Sequence, residues 1–265
     1  MLHAIVRRCF KTAGPERGYN RGMNTLAPRA RTIAFTLIAL LAVSDVPRAA
    51  EETLPPCTED AMIVFDASGS MSGNTVQGLF SDITRIDEVR KALAQVLPGV
   101  TKFRKVGLIT YGPGPYAQCN VELNFPPIPN AAQRILGIVN SINPAGKTPL
   151  VDGVMAATKV LHETSTRGVV VLLTDGEETC GGAPCALGKV IKRDGRVTVH
   201  VIGYQLRGFS WTGAQSILDV QCLAEETGGL YITANNREEL IKAFEKTLGC
   251  PMLSMRGAAP AAITR

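Results

Sequence analysis

Ala61-Met62-Ile63-Val64-Phe65, followed by Asp66-Ala67-Ser68-Gly69-Ser70, is the stretch on which the fold turns. Five consecutive apolar residues read as a buried strand, and the run then empties into three oxygen-bearing side chains, Asp66, Ser68 and Ser70, at every second position. A second buried run, Val169-Val170-Val171-Leu172-Leu173, ends in Thr174-Asp175-Gly176, and Gly146-Lys147-Thr148-Pro149-Leu150 lies between the two. In an open α/β sheet, ligands sit at the carboxyl ends of the strands, so loops that follow different strands can converge on one point.

A small divalent cation such as Mg²⁺ takes about six oxygens in near-octahedral geometry and keeps waters where the protein supplies too few. Asp66, Ser68, Ser70, Thr148 and Asp175 offer such a shell. Two carboxylates roughly neutralise the ion and the hydroxyls add no charge, so the metal stays electrophilic toward one more anionic oxygen. Asp66, Ser68 and Ser70 also suit a plain helix cap. Thr148 and Asp175 at the matching strand ends weigh against that simpler role.

These residues resemble the metal-ion-dependent adhesion site of the von Willebrand factor A domain: Asp-x-Ser-x-Ser at 66–70, a Thr in Gly-x-Thr-Pro-Leu at 146–150, and an Asp in Leu-Thr-Asp-Gly at 173–176. All five positions of that pattern are present, and the element order matches from about Glu59 to Cys250. The resemblance implies an α/β fold, doubly wound, with a mostly parallel six-stranded sheet of order 3-2-1-4-5-6, one antiparallel edge strand and helices on both faces. It also implies an exported protein-binding module, for adhesion or scaffolding, whose Mg²⁺, Mn²⁺ or Ca²⁺ captures a Glu or Asp side chain of a partner protein. Thr174-Asp175-Gly176-Glu177-Glu178-Thr179-Cys180 and Ala224-Glu225-Glu226-Thr227-Gly228-Gly229 are similar to segments of secreted bacterial members.

Strand and helix signals alternate along the rest of the chain, as a mostly parallel sheet requires. Ile86, Val89, Leu93, Val96 and Leu97 share a helical face that Pro98-Gly99 should end. Val106 to Tyr111 reads as a strand, and a period of two from Cys119 to Phe125 as an edge strand joined to it by a short antiparallel connection. Helices are expected near 130–140, 149–163, 184–194 and 214–227, and strands at 168–174, 197–203 and 229–233. A last helix opens at Asn236, with Glu239 completing a capping box and Leu240, Ile241, Phe244 and Leu248 inward.

The first 50 residues stand apart. Thr32 to Val43 is an apolar run of 12 behind Arg29 and Arg31, too short to span a bilayer, and predicts a signal peptide over 23–50. Arg48 stands where a small residue usually precedes the cut, so a retained signal anchor is the other reading. Met23 opens an ordinary basic n-region, which marks 1–22 as a mis-assigned start. The expectation is a linker at 51–58, the domain at 59–250 and a disordered tail at 251–265. The cleaved product would be periplasmic or extracellular, bacterial, and not inserted in a membrane.

Charge divides in the same way. The leader carries 8 Lys and Arg against 2 Asp and Glu, leaving 20 against 21, a net −1, where the whole chain has +5. That balance gives no basic patch and argues against nucleic acid. Six of the seven cysteines follow the leader, as in an exported protein held by disulfides. Cys57 and Cys250 bracket the domain and are expected to pair. The remaining four allow Cys180–Cys185 with Cys119–Cys222, or Cys119–Cys180 with Cys185–Cys222. No CxxC pair exists and His162 and His200 stand alone, which weighs against zinc.

Catalytic motifs are approached and missed. Gly146-Lys147-Thr148 ends like a phosphate loop, but Ser141 occupies the leading Gly position and Pro149 follows. Gly112 to Ala117 fits a dinucleotide fingerprint only as text, because its prolines exclude the helix that would hold pyrophosphate. A haloacid-dehalogenase-like phosphatase would need a second Asp where Ser68 stands. The chain is therefore read as a non-enzyme, with a purely structural metal or metal-assisted phosphate hydrolysis as alternatives. Partner contacts are expected from Gly112–Gln118 and from Gln205–Gly213, which carries Phe209 and Trp211. Glu177 and Glu178 are expected to add negative potential beside the metal.

Overall fold

Asp60–Asp66 forms the central strand β1, buried at all 7 positions. The computed structural model describes residues 59–75, 82–165, 167–206 and 213–249. The expected start, leader, linker and tail lie outside the described residues, as do Cys57, Cys250, Phe209 and Trp211. A 3-10 turn at Gly69–Ser72 follows β1, then α1 (Arg85–Val100), β2 (Val106–Tyr111), β3 (Val121–Ile128), α2 (Ala132–Ser141) and α3 (Leu150–Thr164). Next come β4 (Gly168–Thr174), α4 (Pro184–Asp194), β5 (Val197–Tyr204), α5 (Gly213–Glu226), β6 (Tyr231–Ala234) and α6 (Arg237–Leu248).

The six strands lie in the order β3-β2-β1-β4-β5-β6, parallel except for the antiparallel β2–β3 pair, which is the expected doubly wound α/β sheet. Alternate residues of each strand feed opposite faces. Ile63, Phe65, Val171 and Leu173 pack with α1, α2 and α6. Met62, Val64, Val170 and Leu172 pack with α3, α4 and α5. Burial on both faces explains why β1, after its first residue Asp60, carries no polar residue before Asp66, and β4 none before Thr174.

Local differences from expectation have identifiable causes. Helix α1 passes through Pro98-Gly99 to Val100. Ala94, Gln95, Pro98 and Gly99 all face solvent, so water can satisfy the carbonyl that the proline leaves unbonded. Its start was also unforeseen: Thr84 and Asp87 form a reciprocal capping box. In β3 the period of two breaks. Leu108 faces Phe125 while the next residue, Ile109, faces Leu123, so Asn124 is an extra residue that bulges the strand. Phe125 consequently joins the α1 side of the core, Val121 the α3 side, and Leu123 is left exposed. The strand continues through Pro126 and Pro127, which an edge position tolerates.

The disulfides follow the second pairing. Cys180 bonds Cys119, tying the loop after β4 to the β2–β3 connection, and Cys185 bonds Cys222, tying α4 to α5. Cys180–Cys185 and Cys119–Cys222 are thereby overturned. Cys185 sits in the first turn of α4, which packs on α5. There a Cβ on Gly188 would stand only 3.0 Å from Leu223 Cα. Among the described residues no helix is long and apolar enough to cross a membrane.

Candidate functional site

Three backbone segments meet at the carboxyl ends of β1, β2 and β4. Gly69 N donates to Gly146 O (2.9 Å), Gly146 N to Gly112 O (2.7 Å) and Lys147 N to Gln118 O (3.1 Å). Gly112 has φ +79°, and a Cβ there would lie 2.7 Å from Lys147 O and Ser68 N. One on Gly146 would lie 2.7 Å from Gly112 O. The glycines that mimic nucleotide-binding motifs thus serve a close crossing of main chains, which brings Thr148 beside the Asp66–Ser70 loop.

Within that crossing four of the five expected site residues, Asp66, Ser68, Ser70 and Asp175, make a hydrogen-bonded set, and Thr148 is brought near them by its main chain. Asp66, fully buried, accepts from Ser68 N through Oδ1 (2.8 Å) and from Thr174 Oγ1 through Oδ2 (3.0 Å). Ser68 Oγ and Ser70 Oγ are 2.9 Å apart, and Ser70 Oγ donates to Asp175 Oδ1 (2.5 Å). Ser70 is exposed, while Ser68 and Asp175 are buried, so the cluster reaches the surface at one point. Thr148 arrives on the 145–148 segment, held by Thr148 N donating to Thr179 Oγ1 (2.8 Å) and Thr179 N to Thr148 O (3.1 Å).

The electrostatics favour a cation. Burial, and then the charge of Asp175, pushes the Asp66 carboxyl up to about 6. Burial also raises Asp175, against the lowering effect of Ser70 and Arg85. A cation between the two carboxylates would relieve both desolvation and mutual repulsion. The donor set consists of carboxylates and hydroxyls with neither nitrogen nor sulfur, which suits a hard divalent ion. Cys119, Cys180, Cys185 and Cys222 are bonded to one another and offer no thiolate.

Three further residues shape the site. Arg85, at the start of α1, places Nη1 2.7 Å from Asp175 Oδ2 and 3.2 Å from Ser70 O. Glu178 accepts from Val151 N (2.9 Å) and Cys180 N (2.7 Å). It caps α3 and braces the β4 loop, in addition to any field it exerts on the site. Thr179 zips that loop to Thr148. A capping pattern could have announced Thr84 and Asp87, but nothing local marks Arg85, Thr179 or the bracing role of Glu178.

Comparison with known proteins agrees with this fold. The family model of the von Willebrand factor type A domain matches residues 61–178. The uncharacterized protein YwmC of Bacillus subtilis (strain 168) is 27% identical over 203 residues, covering 73% of this chain and 84% of the relative. Among solved structures, the pilus adhesin SpaC from Lactobacillus rhamnosus GG is similar at a TM-score of 0.57 and 18% identity, over 74% of this chain and 30% of that one. Proximal thread matrix protein 1 from the mussel byssus, with a zinc-occupied MIDAS motif, is similar at 0.52 and 19%, over 74% of this chain and 46% of that one. This chain therefore spans less than half of either solved protein, and the likeness to them is one of fold. The family match ends at Glu178, and the matched segment contains Asp66, Ser68, Ser70, Thr148 and Asp175 alike.

Proposed function

We propose that this chain is an exported bacterial von Willebrand factor A protein of the adhesion-site type, a protein-binding module and not an enzyme. Asp66, Ser68, Ser70, Thr148 and Asp175 would hold one divalent cation, Mg²⁺ before Mn²⁺ or Ca²⁺, and the cation would accept a Glu or Asp side chain of a partner protein. The observation that carries the reading is the Ser68–Ser70–Asp175 chain of oxygens above buried Asp66, open to solvent at Ser70. The zinc-bearing mussel protein supports a cation in such a site without choosing the ion, and the pilus adhesin supports a role outside the cell. Two disulfides fit that setting.

A single carboxylate–metal contact supplies orientation and metal dependence, while affinity comes from the surrounding loops. Within Gly112–Gln118, residues Gly114–Gln118 are exposed, with Tyr116 80% accessible, and form a natural contact loop. A purely structural metal is the weaker reading. The three loops are already held by the Gly146, Thr179 and Glu178 bonds and by Cys119–Cys180, so the rim has little need of another staple. Hydrolysis finds no free histidine to move a proton among the described residues, because His162 faces Asp194 and His200 accepts from Leu230.

Titration calorimetry with Mg²⁺ and with Mn²⁺ tests the site. Wild type should take up one ion and Asp66→Ala should bind about 100-fold more weakly or not at all. Equal affinity in both proteins overturns the ligand assignment. Partner binding that survives EDTA and Asp175→Ala would overturn the capture mechanism.

A further inference from the structure

The Arg85 guanidinium is a fixed positive charge inside the candidate metal site. Its side chain is 10% exposed and that of Asp175 0%, so solvent screens the pair weakly. It is also held in place. Arg85 N donates to Gly73 O (2.9 Å), and the side chain folds back over Gly73, where a Cβ would meet Cζ and Nη1 at 3.9 Å. Nη1 then reaches both Ser70 O and Asp175 Oδ2. On the same helix, Glu88 is occupied by Lys91 and Arg237, and Asp87 by Thr84 and Arg90. Asp175 is therefore divided: Oδ2 serves Arg85, and Oδ1 lies on the Ser70 side.

We infer that Arg85 is a specificity-determining residue, setting the net charge of the loaded site so that it favours an anionic ligand at the expense of metal affinity. This rests on the proposed metal site and deepens it. With two carboxylates alone, a bound divalent cation would leave the centre neutral. With Arg85 in place the loaded centre keeps one positive charge, and an incoming carboxylate meets net attraction. The same charge repels the cation itself, so the empty site binds metal less tightly than its two carboxylates otherwise would. The two effects have opposite signs, which separates this role from a merely structural one.

The test uses the full chain as wild type, Arg85→Gln, Arg85→Met and Arg85→Lys, each checked for a wild-type circular dichroism spectrum. Mg²⁺ titration calorimetry reads the first effect. Acetate added to the Mn²⁺-loaded protein, followed by water-proton relaxation, reads the second. A neutral variant should bind Mg²⁺ about tenfold more tightly and acetate several-fold more weakly, as expected for removing a unit charge close to a divalent ion in a largely aqueous field. Arg85→Lys, which keeps the charge, should stay near wild type in both. A folded neutral variant that binds Mg²⁺ no more tightly, or acetate equally well, overturns the role of Arg85 and leaves the site standing. Failure of all neutral variants to fold, with Arg85→Lys folded, assigns the residue a structural role and overturns the inference. A wild-type protein that takes up no metal overturns the site and this inference together.

Discussion

The body of the sheet and its carboxyl rim are built from the same strands and obey opposite rules. In β1, Met62, Ile63, Val64 and Phe65 have no exposed surface and their side chains join the apolar clusters on the two faces; one residue later, equally buried Asp66 is a charge beside another charge. In β4 the passage from Leu173 to Thr174 and Asp175 is as abrupt. Burial stabilises the first region at about 25 cal/mol per Å² of apolar surface and penalises the second for every uncompensated charge. The stability of the domain therefore resides in the sheet body, and the candidate cation site lies where stability has been given up.

The sharpest contrast should come from truncating the body. Phe65→Ala removes a fully buried ring and is expected to cost about 3–5 kcal/mol in denaturant unfolding, with unchanged Mg²⁺ affinity in the fraction that stays folded. A cost below 1 kcal/mol would break the division. The next effect belongs to the rim's covalent tie. Cys119→Ser with Cys180→Ser opens a link between residues 61 apart and should lower stability by about 2–4 kcal/mol. Amide exchange at Asp175–Cys180 should rise more than within β4.

Titration gives a smaller and opposite-handed comparison. Burial, with help from the charge of Arg104, pushes His200 in β5 down to about 4, where it accepts from Leu230 N (2.9 Å). The unfolded imidazole binds its proton near pH 6.5, so the unfolded state gains protons first as pH falls. Stability should decline from about pH 6.5 toward 4, by about 1–2 kcal/mol once the imidazole's partial exposure is allowed for. His200→Asn should flatten that slope in melting experiments. Asp66 has the reverse sign: its folded pKa is raised, so in metal-free protein its ionisation erodes stability as pH rises from about 4 to 6. The smallest effect follows from this. Asp66→Asn, melted without metal at pH 7.5, should be about 1 kcal/mol more stable than wild type. A less stable Asp66→Asn would mean that its carboxylate is not strained in the empty site.

The sequence announced whatever lies within one strand and its own loop. β1 and β4 were legible as unbroken apolar runs, and Asp66, Ser68, Ser70 and Asp175 as polar groups placed directly after them. Thr148 was legible only through the motif it resembles. Arg85 was not, because it stands 15 residues beyond Ser70 at a helix start, where an arginine looks like any surface cation. Glu178 was legible only as a source of negative potential and Thr179 not at all, since their bracing roles depend on α3 and the 145–148 segment arriving beside them. The second disulfide choice was open for the same reason, as pairing depends on which loops share a rim. The Asn124 bulge escaped a reading by period because one extra residue inverts every side chain beyond it.

That bulge has a consequence for crowding. A sheet with two open edges offers each one to a neighbouring copy as a template for strand addition. On β3 the outward row of donors is interrupted by the kink at Asn124 and then by Pro126 and Pro127, which have no N–H to give. The other edge, β6, is only 4 residues long. Copies of this domain packed densely together are thereby denied the continuous hydrogen-bonded seam from which fibrils grow.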